Sequence, residues 1–203
     1  METGADYIGL VFYPGSHRYI DPERAREVAD TARATARNGR IKVVGLFVNE
    51  PLDDILRVRE AAGLDIIQLS GNESTDDMAA LTEQDVPFVA TVRGGSGSDS
   101  DPEMRFREVI AQRPEAVHFD THVPGMWGGS GVVGDWNLAN ALAREYRLFL
   151  AGGLDPENVA DAVREVRPYV VDVSSGVETN KIKDHTKIRA FIAAARGAEG
   201  EET

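Results

Sequence analysis

The sequence predicts an α/β fold in which parallel strands alternate with helices. Two observations predict it. Short apolar runs without strict in–out alternation recur along the chain, which is how strands buried on both faces read. Each such run is followed by a segment of helical period, and strict strand–helix alternation makes a parallel sheet. The 203 residues fit one domain, 1–203, and a repeat of about 25–30 residues fits a (β/α)8 TIM barrel. Seven βα units can be counted. An open doubly wound sheet is the rival, and its dinucleotide-binding form is weakened because no G-x-G-x-x-G follows the first strand.

"DYIGLVF" (6–12) is the first strand. In "DPERAREVADTARA", Asp21 is the expected N-cap and Pro22 the first helical residue. Ala25, Val28, Ala29 and Ala32 then recur at helical spacing. "IKVVGLFV" (41–48) is the second strand, and "PLDDILRVREAAG" a helix stopped by Gly63. Residues 65–69 form a strand and 73–84 a helix. Residues 86–92 form the next strand, and "GGSGSDSDPE" is a loop opening a helix that runs to Gln112. "AVHFD" (116–120) is the fifth strand, with a helix around 136–143. "RLFLAG" is the sixth strand. Asp155 and Pro156 are expected to start the helix "DPENVADAVREV". "YVVDVSS" is the seventh strand, and a helix covers about 184–195. The tail, 197–203, is expected to fray.

Composition excludes several functions. At 42% hydrophobic residues, the chain can build a core. No run of about 18 apolar residues predicts a membrane span, and no basic start with an apolar leader suggests export, so the cytoplasm is the expected location. With no cysteine there is no disulfide, thiolate metal site or cysteine catalyst among these residues. His17, His122 and His185 are too scattered to suggest a metal site, and no cofactor is expected. A net charge of −12 argues against nucleic acid as partner, since phosphates are repelled. Lys42, Lys181, Lys183 and Lys187 are the only lysines. Excess acid with little lysine suggests adaptation to high salt; an ordinary acidic protein is the alternative.

The C-terminal third carries the clearest chemistry. Gly152 and Gly153 follow one strand, and Ser174, Ser175 and Gly176 follow the next. Ser175 and Glu178 have capping-box spacing, which predicts a short helix there. Glycines let backbone N–H groups approach a ligand, and barrels frequently bind phosphate at their last two strand–helix loops. Two tight turns that simply need small residues are the plainer reading. Asp120 ends the fifth strand ahead of a glycine-rich loop, and barrel catalysts sit at C-terminal strand ends.

The motifs "GADYIGLVFYPGSHRYI", "VGLFVNEP", "GLDIIQLSG", "FDTHVPGMWGGSG", "GDW", "LAGGLDPENV", "VDVSSGVE" and "KDHTKI" together resemble the phosphoribosylanthranilate isomerase family, across nearly the whole chain and in the family's order. The resemblance implies tryptophan biosynthesis and an acid/base Amadori rearrangement of N-(5-phosphoribosyl)anthranilate. It makes Asp120 the general acid. It makes Arg18, Gln68, Gly152, Gly153, Asp172, Ser174, Ser175 and Gly176 substrate-binding, with Arg18 near the anthranilate carboxylate. Ser70 stands where the family usually has histidine, and His118 where it has an apolar residue. His118 reads as a core histidine or as a group tuning Asp120. Trp127 either covers the anthranilate ring or simply packs. The implied partner is a small phosphoribosyl substrate, and the protein is a monomer or homodimer.

The family's base is a cysteine in a Lys-x-Cys-Gly stretch at the end of its first strand. This sequence has no such stretch. "METGAD" reads as the last turn of the family's first helix, so the N-terminal βα unit is expected to be missing, with Met1 internal or the chain a fragment. Two other classes stay open: a non-catalytic phosphate-binding barrel fragment, and another phosphate-binding barrel enzyme resembling indole-glycerol-phosphate synthase. Lysines at strand ends would mark the latter, and none occurs.

Overall fold

The structure is a computed structural model that describes residues 4–36, 40–94, 101–120 and 135–199. The chain divides into two compact units, Met1–Thr91 with Ala111–Glu115, and Val92–Ile110 with Ala116–Thr203.

The first unit holds β1 (Tyr7–Val11), α1 (Pro22–Thr35), β2 (Lys42–Phe47), α2 (Leu52–Ala62), β3 (Ile66–Leu69), α3 (Thr75–Glu83) and most of β4 (Phe88–Arg93). Its strands pair in parallel in chain order, with Ile8 opposite Val43, Val44 opposite Ile66 and Ile67 opposite Phe88. All four residues of β3 are buried. The missing alternation in the sequence thus reports strands covered on both faces. Asp21 caps α1 by accepting from the Arg24 N–H, and Pro22 opens the helix as expected. Ala25, Ala29 and Ala32 form its buried stripe. Gly63 ends α2 in the left-handed region at φ 67°, a conformation glycine adopts without Cβ strain.

The start of α3 corrects the sequence expectation. The helix begins at Thr75, not Glu73. Ser74 is the N-cap and forms a reciprocal capping box with Asp77. Glu73 is buried instead, at 7% exposure. Its carboxylate accepts from the Asn49 N–H at 2.9 Å and from the Gly71 N–H at 2.9 and 3.0 Å. A buried carboxylate needs such donors, and that demand holds Glu73 outside the helix.

The second unit holds α4 (Pro102–Ala111, whose last residue counts with the first unit), β5 (Ala116–Asp120), α5 (Trp136–Glu145), β6 (Leu148–Ala151), α6 (Val159–Val166) and β7 (Val170–Val171). A one-turn 3-10 helix (Ser175–Val177), a hairpin of β8 (Glu178–Thr179) and β9 (Ile182–Lys183), and α7 (His185–Glu199) complete it. The strands β5, β6 and β7 pair in parallel, with Asp120 opposite Ala151 and Leu150 opposite Val171. Val117, Phe119, Leu148 and Leu150 are fully enclosed, as are Val159, Ala162 and Val166 of α6. Burying a side chain of valine, leucine or phenylalanine size is worth about 1.5–3 kcal/mol.

Three further expectations are corrected here. Helix α6 begins at Val159 rather than at Asp155–Pro156. Asp155 accepts from the N–H groups of Glu157 and Asn158 and so closes a turn ahead of the helix. The Ser175–Glu178 capping box does not form: no side chain caps the 3-10 helix, and Glu178 enters β8. The hairpin wins because Asn180 and Lys181 both take positive φ, at 52° and 63°, as a two-residue hairpin turn requires. Helix α7 runs to Glu199, into the stretch expected to fray, and Ala198 is buried. Among the described residues no helix is long and apolar enough to cross a membrane.

Candidate active site

Asp120 is the last residue of β5 and is half-buried. Its carbonyl accepts from the Gly94 N–H at 2.9 Å. His118 lies two residues earlier, so alternation puts both side chains on one face of the strand. His118 is 5% exposed, and its Nε2 lies 3.2 Å from Oδ2 of Asp172, just beyond β7. An ionised carboxylate only accepts, so the imidazole donates in this pair.

Asp172 takes its place from the ladder: its N–H donates to the Leu150 carbonyl at 2.8 Å, continuing the β6–β7 pairing. Its side chain stays 48% exposed although protein surrounds it. That surrounding protein pushes the carboxyl's pKa up. The His118 hydrogen bond and the charges of His118 and Lys183 outweigh this and hold it below the usual carboxylate range. The result is an ionised, solvent-reachable carboxylate on the face that carries Asp120.

Two turns follow β6 and β7. Gly152 and Gly153 take positive φ, at 91° and 67°. Asn158 locks this turn from both sides: its Nδ2 donates to the Gly153 carbonyl at 2.9 Å, and its Oδ1 accepts from the Asp155 N–H at 2.9 Å. In the second turn, Lys183 Nζ donates to the Ser174 carbonyl at 2.8 Å and pairs with Glu178 at 3.0 Å. Gly176 packs directly on the Leu154 carbonyl, so the two turns lie against each other. The structure therefore brings together Asp120, Gly152, Gly153, Asp172, Ser174, Ser175 and Gly176 within one unit. It also adds Asn158 and Lys183, which the sequence reading did not join to them. His118, read as a core histidine or a group tuning Asp120, pairs instead with Asp172, and Glu178 pairs with Lys183 rather than capping with Ser175. Only the Asp155–Asn158 spacing, an acid with an amide three residues on, offered a sequence signal.

The other two candidates lie in the first unit. Arg18 is half-buried in the turn after β1, its N–H donating to Ser16 Oγ at 3.1 Å. Gln68 is buried in β3 at 7% exposure. Its Nε2 donates to Ser70 Oγ at 3.2 Å, and Ser70 Oγ lies 3.1 Å from Thr91 Oγ1. Ser70 thus stands inside a polar chain with Gln68 and Thr91. Trp127, His122 and the loop after Asp120 lie outside the described residues.

The family model for N-(5'-phosphoribosyl)anthranilate (PRA) isomerase matches residues 1–194. The chain belongs to this family. An N-(5'-phosphoribosyl)anthranilate isomerase of Roseiflexus castenholzii is 48% identical over 200 residues, covering 98% of this chain and 91% of the relative. The crystal structure of phosphoribosyl anthranilate isomerase from Thermotoga maritima superposes with a TM-score of 0.82 at 38% identity, covering 96% of this chain and 90% of that one. A second crystal structure of the isomerase, in complex with reduced 1-(o-carboxyphenylamino)-1-deoxyribulose 5-phosphate, gives a TM-score of 0.76 at 34% identity, with 96% and 89% covered. Members of the phosphoribosylanthranilate isomerase family are isomerases of tryptophan biosynthesis. The α/β organisation with parallel strands is similar to that of the solved isomerase.

Proposed function

We propose that the chain acts on N-(5-phosphoribosyl)anthranilate and yields 1-(2-carboxyphenylamino)-1-deoxyribulose 5-phosphate. The Amadori rearrangement opens the furanose to a Schiff base, removes the C2′ proton to give an enol-amine, and ends in the ketone. Asp120 is the acid that protonates the ring oxygen as the ring opens. Asp172, ionised, accepts hydrogen bonds from sugar hydroxyls. Backbone N–H groups around Gly152, Gly153, Ser174, Ser175 and Gly176 take the 5-phosphate. Arg18 is assigned to the anthranilate carboxylate, which a planar guanidinium matches, and Gln68 to substrate binding. The base is assigned to none of these residues, and the sequence holds no cysteine to supply it. The seven βα units are read as belonging to a (β/α)8 barrel, and a monomer or homodimer in the cytoplasm is expected.

The observation that carries this reading is one face of the second unit. There Asp120, at the end of β5, shares its side of the strand with His118, which holds the Asp172 carboxylate. Proton-shuffling chemistry needs groups of different protonation state in one place. Calorimetric titration with the reduced product analogue and with inorganic phosphate tests the reading whatever the source of the base. Binding of the analogue that phosphate displaces is expected. A folded protein that binds neither would overturn the assignment.

A further inference from the structure

His118 is the only buried histidine among the described residues, and the chemistry proposed above gives it no proton to move. It sits between Val117 and Phe119, both fully enclosed. An imidazole is costly there unless its polar atoms are matched. Its match, Asp172, lies 54 residues along the chain and two strands away. Phe149 of β6 stands opposite His118, and Val170 of β7 opposite Phe149. Strand spacing of about 4.8 Å therefore separates β5 from β7 by roughly 10 Å. The imidazole bridges that gap above β6 and meets Asp172 on the face that Asp120 shares by alternation. Lys183, which also acts on Asp172, has its Nζ committed to the Ser174 carbonyl and to Glu178. The side-chain hydrogen bond to the Asp172 carboxylate comes from His118, beside a weaker backbone contribution from Val173.

We propose that His118 is the positioning residue of Asp172: its Nε2–H engages one carboxylate oxygen, fixes the side-chain rotamer, and leaves the other oxygen aimed at the substrate. This deepens the isomerase reading and rests on it for the identity of the ligand. A histidine that only filled space could be replaced by leucine with no effect on the carboxylate. A positioning histidine could not.

The test uses the whole chain, with His118→Leu and His118→Gln. The Asp172 side-chain carboxyl is titrated by carbon NMR, and affinity for the reduced product analogue is measured by calorimetry on the same samples. The ionic groups acting on Asp172 are His118 from β5 and Lys183 from β9, so Lys183→Gln separates the second contribution. In His118→Leu, Asp172 should titrate at higher pH and analogue affinity should fall about 10–100-fold, the range for losing a hydrogen bond to a charged group. In His118→Gln, whose amide donates in place of the imidazole, much of that affinity should return. An unmoved Asp172 titration in His118→Leu, or undiminished affinity, overturns the proposal. If the parent binds no analogue while Asp172 still shifts in His118→Leu, the isomerase reading falls and the His118–Asp172 device is supported.

Discussion

Gly176 lies against the Leu154 carbonyl so closely that a Cβ on it would come within 1.9 Å of that oxygen. The contact joins the two turns that carry the proposed phosphate site. The neighbour is backbone, so it cannot swing aside as a side chain would. Gly176→Ala should therefore force the turns apart. Overpacking of this kind costs about 1–3 kcal/mol, and phosphate affinity should fall with it. Calorimetry with ribose 5-phosphate, alongside a thermal melt, checks both, and an alanine variant that binds like the parent removes these turns from the site.

Glu73 predicts a stability effect in the first unit. Its buried carboxylate accepts from the Asn49 and Gly71 N–H groups, tying the loop after β2 to the loop after β3. Glu73→Ala leaves two part-buried N–H donors without their acceptor, at up to about 1–3 kcal/mol, or roughly 2–4 °C of Tm per kcal/mol for a chain of this size. Glu73→Gln keeps one acceptor oxygen and should lose less. Amide exchange at Asn49 and Gly71 should quicken in the alanine variant, and unchanged exchange and Tm would show that the tie carries no weight.

Local chemistry was legible in the sequence where it decides local structure. Asp21 with Pro22 marked the start of α1, Gly63 the end of α2, and the unbroken apolar run of β3 a doubly covered strand. The errors fall where one spacing serves two structures. Ser175 and Glu178 are spaced for a capping box, but the turn at Asn180 and Lys181 draws Glu178 into a hairpin. Asp155 has the look of an N-cap, yet Asn158 captures it in a turn. The His118–Asp172 pair was out of reach because it depends on the register of three strands, and no local pattern encodes that. In the sequence, Asp172 stands out only by its place in the motif "VDVSSGVE".

The pH dependence of stability follows from the depressed Asp172 carboxyl. A carboxylate whose folded pKa lies below its ordinary 3.8 contributes stability above that value and loses it as pH falls through the folded pKa. The contribution is therefore constant near neutrality and drains away below about pH 4. Asp172→Asn cannot titrate, so its stability should decline less steeply over that acid range than the parent's. Urea titrations from pH 5 downward compare the slopes, and parallel slopes would show that Asp172 has the same pKa folded and unfolded.

Salt should stabilise the protein. The net charge is −12, and like charges on a compact surface repel one another more than on an expanded chain. Added salt shortens the range of that repulsion, from about 10 Å at 0.1 M to 3 Å at 1 M. Thermal melts from low to molar KCl should show Tm rising. A flat or falling Tm leaves an ordinary acidic protein rather than one adapted to high salt.

Asp120→Asn separates chemistry from binding. Asparagine keeps the size and can still donate a hydrogen bond to the ring oxygen, so the reduced product analogue should bind nearly as before and Tm should not move. It cannot hand over a proton as the furanose opens. General acid catalysis by a positioned group is worth about 10²–10⁴-fold, and turnover of N-(5-phosphoribosyl)anthranilate should fall by that factor. The half-buried place of Asp120 at the end of β5 makes a fold defect an unattractive explanation for such a loss, and the melt checks it directly. If the variant turns over substrate as fast as the parent, the ring-opening proton comes from another group. His118 would be the first to examine, since it shares the face and already holds a proton toward Asp172.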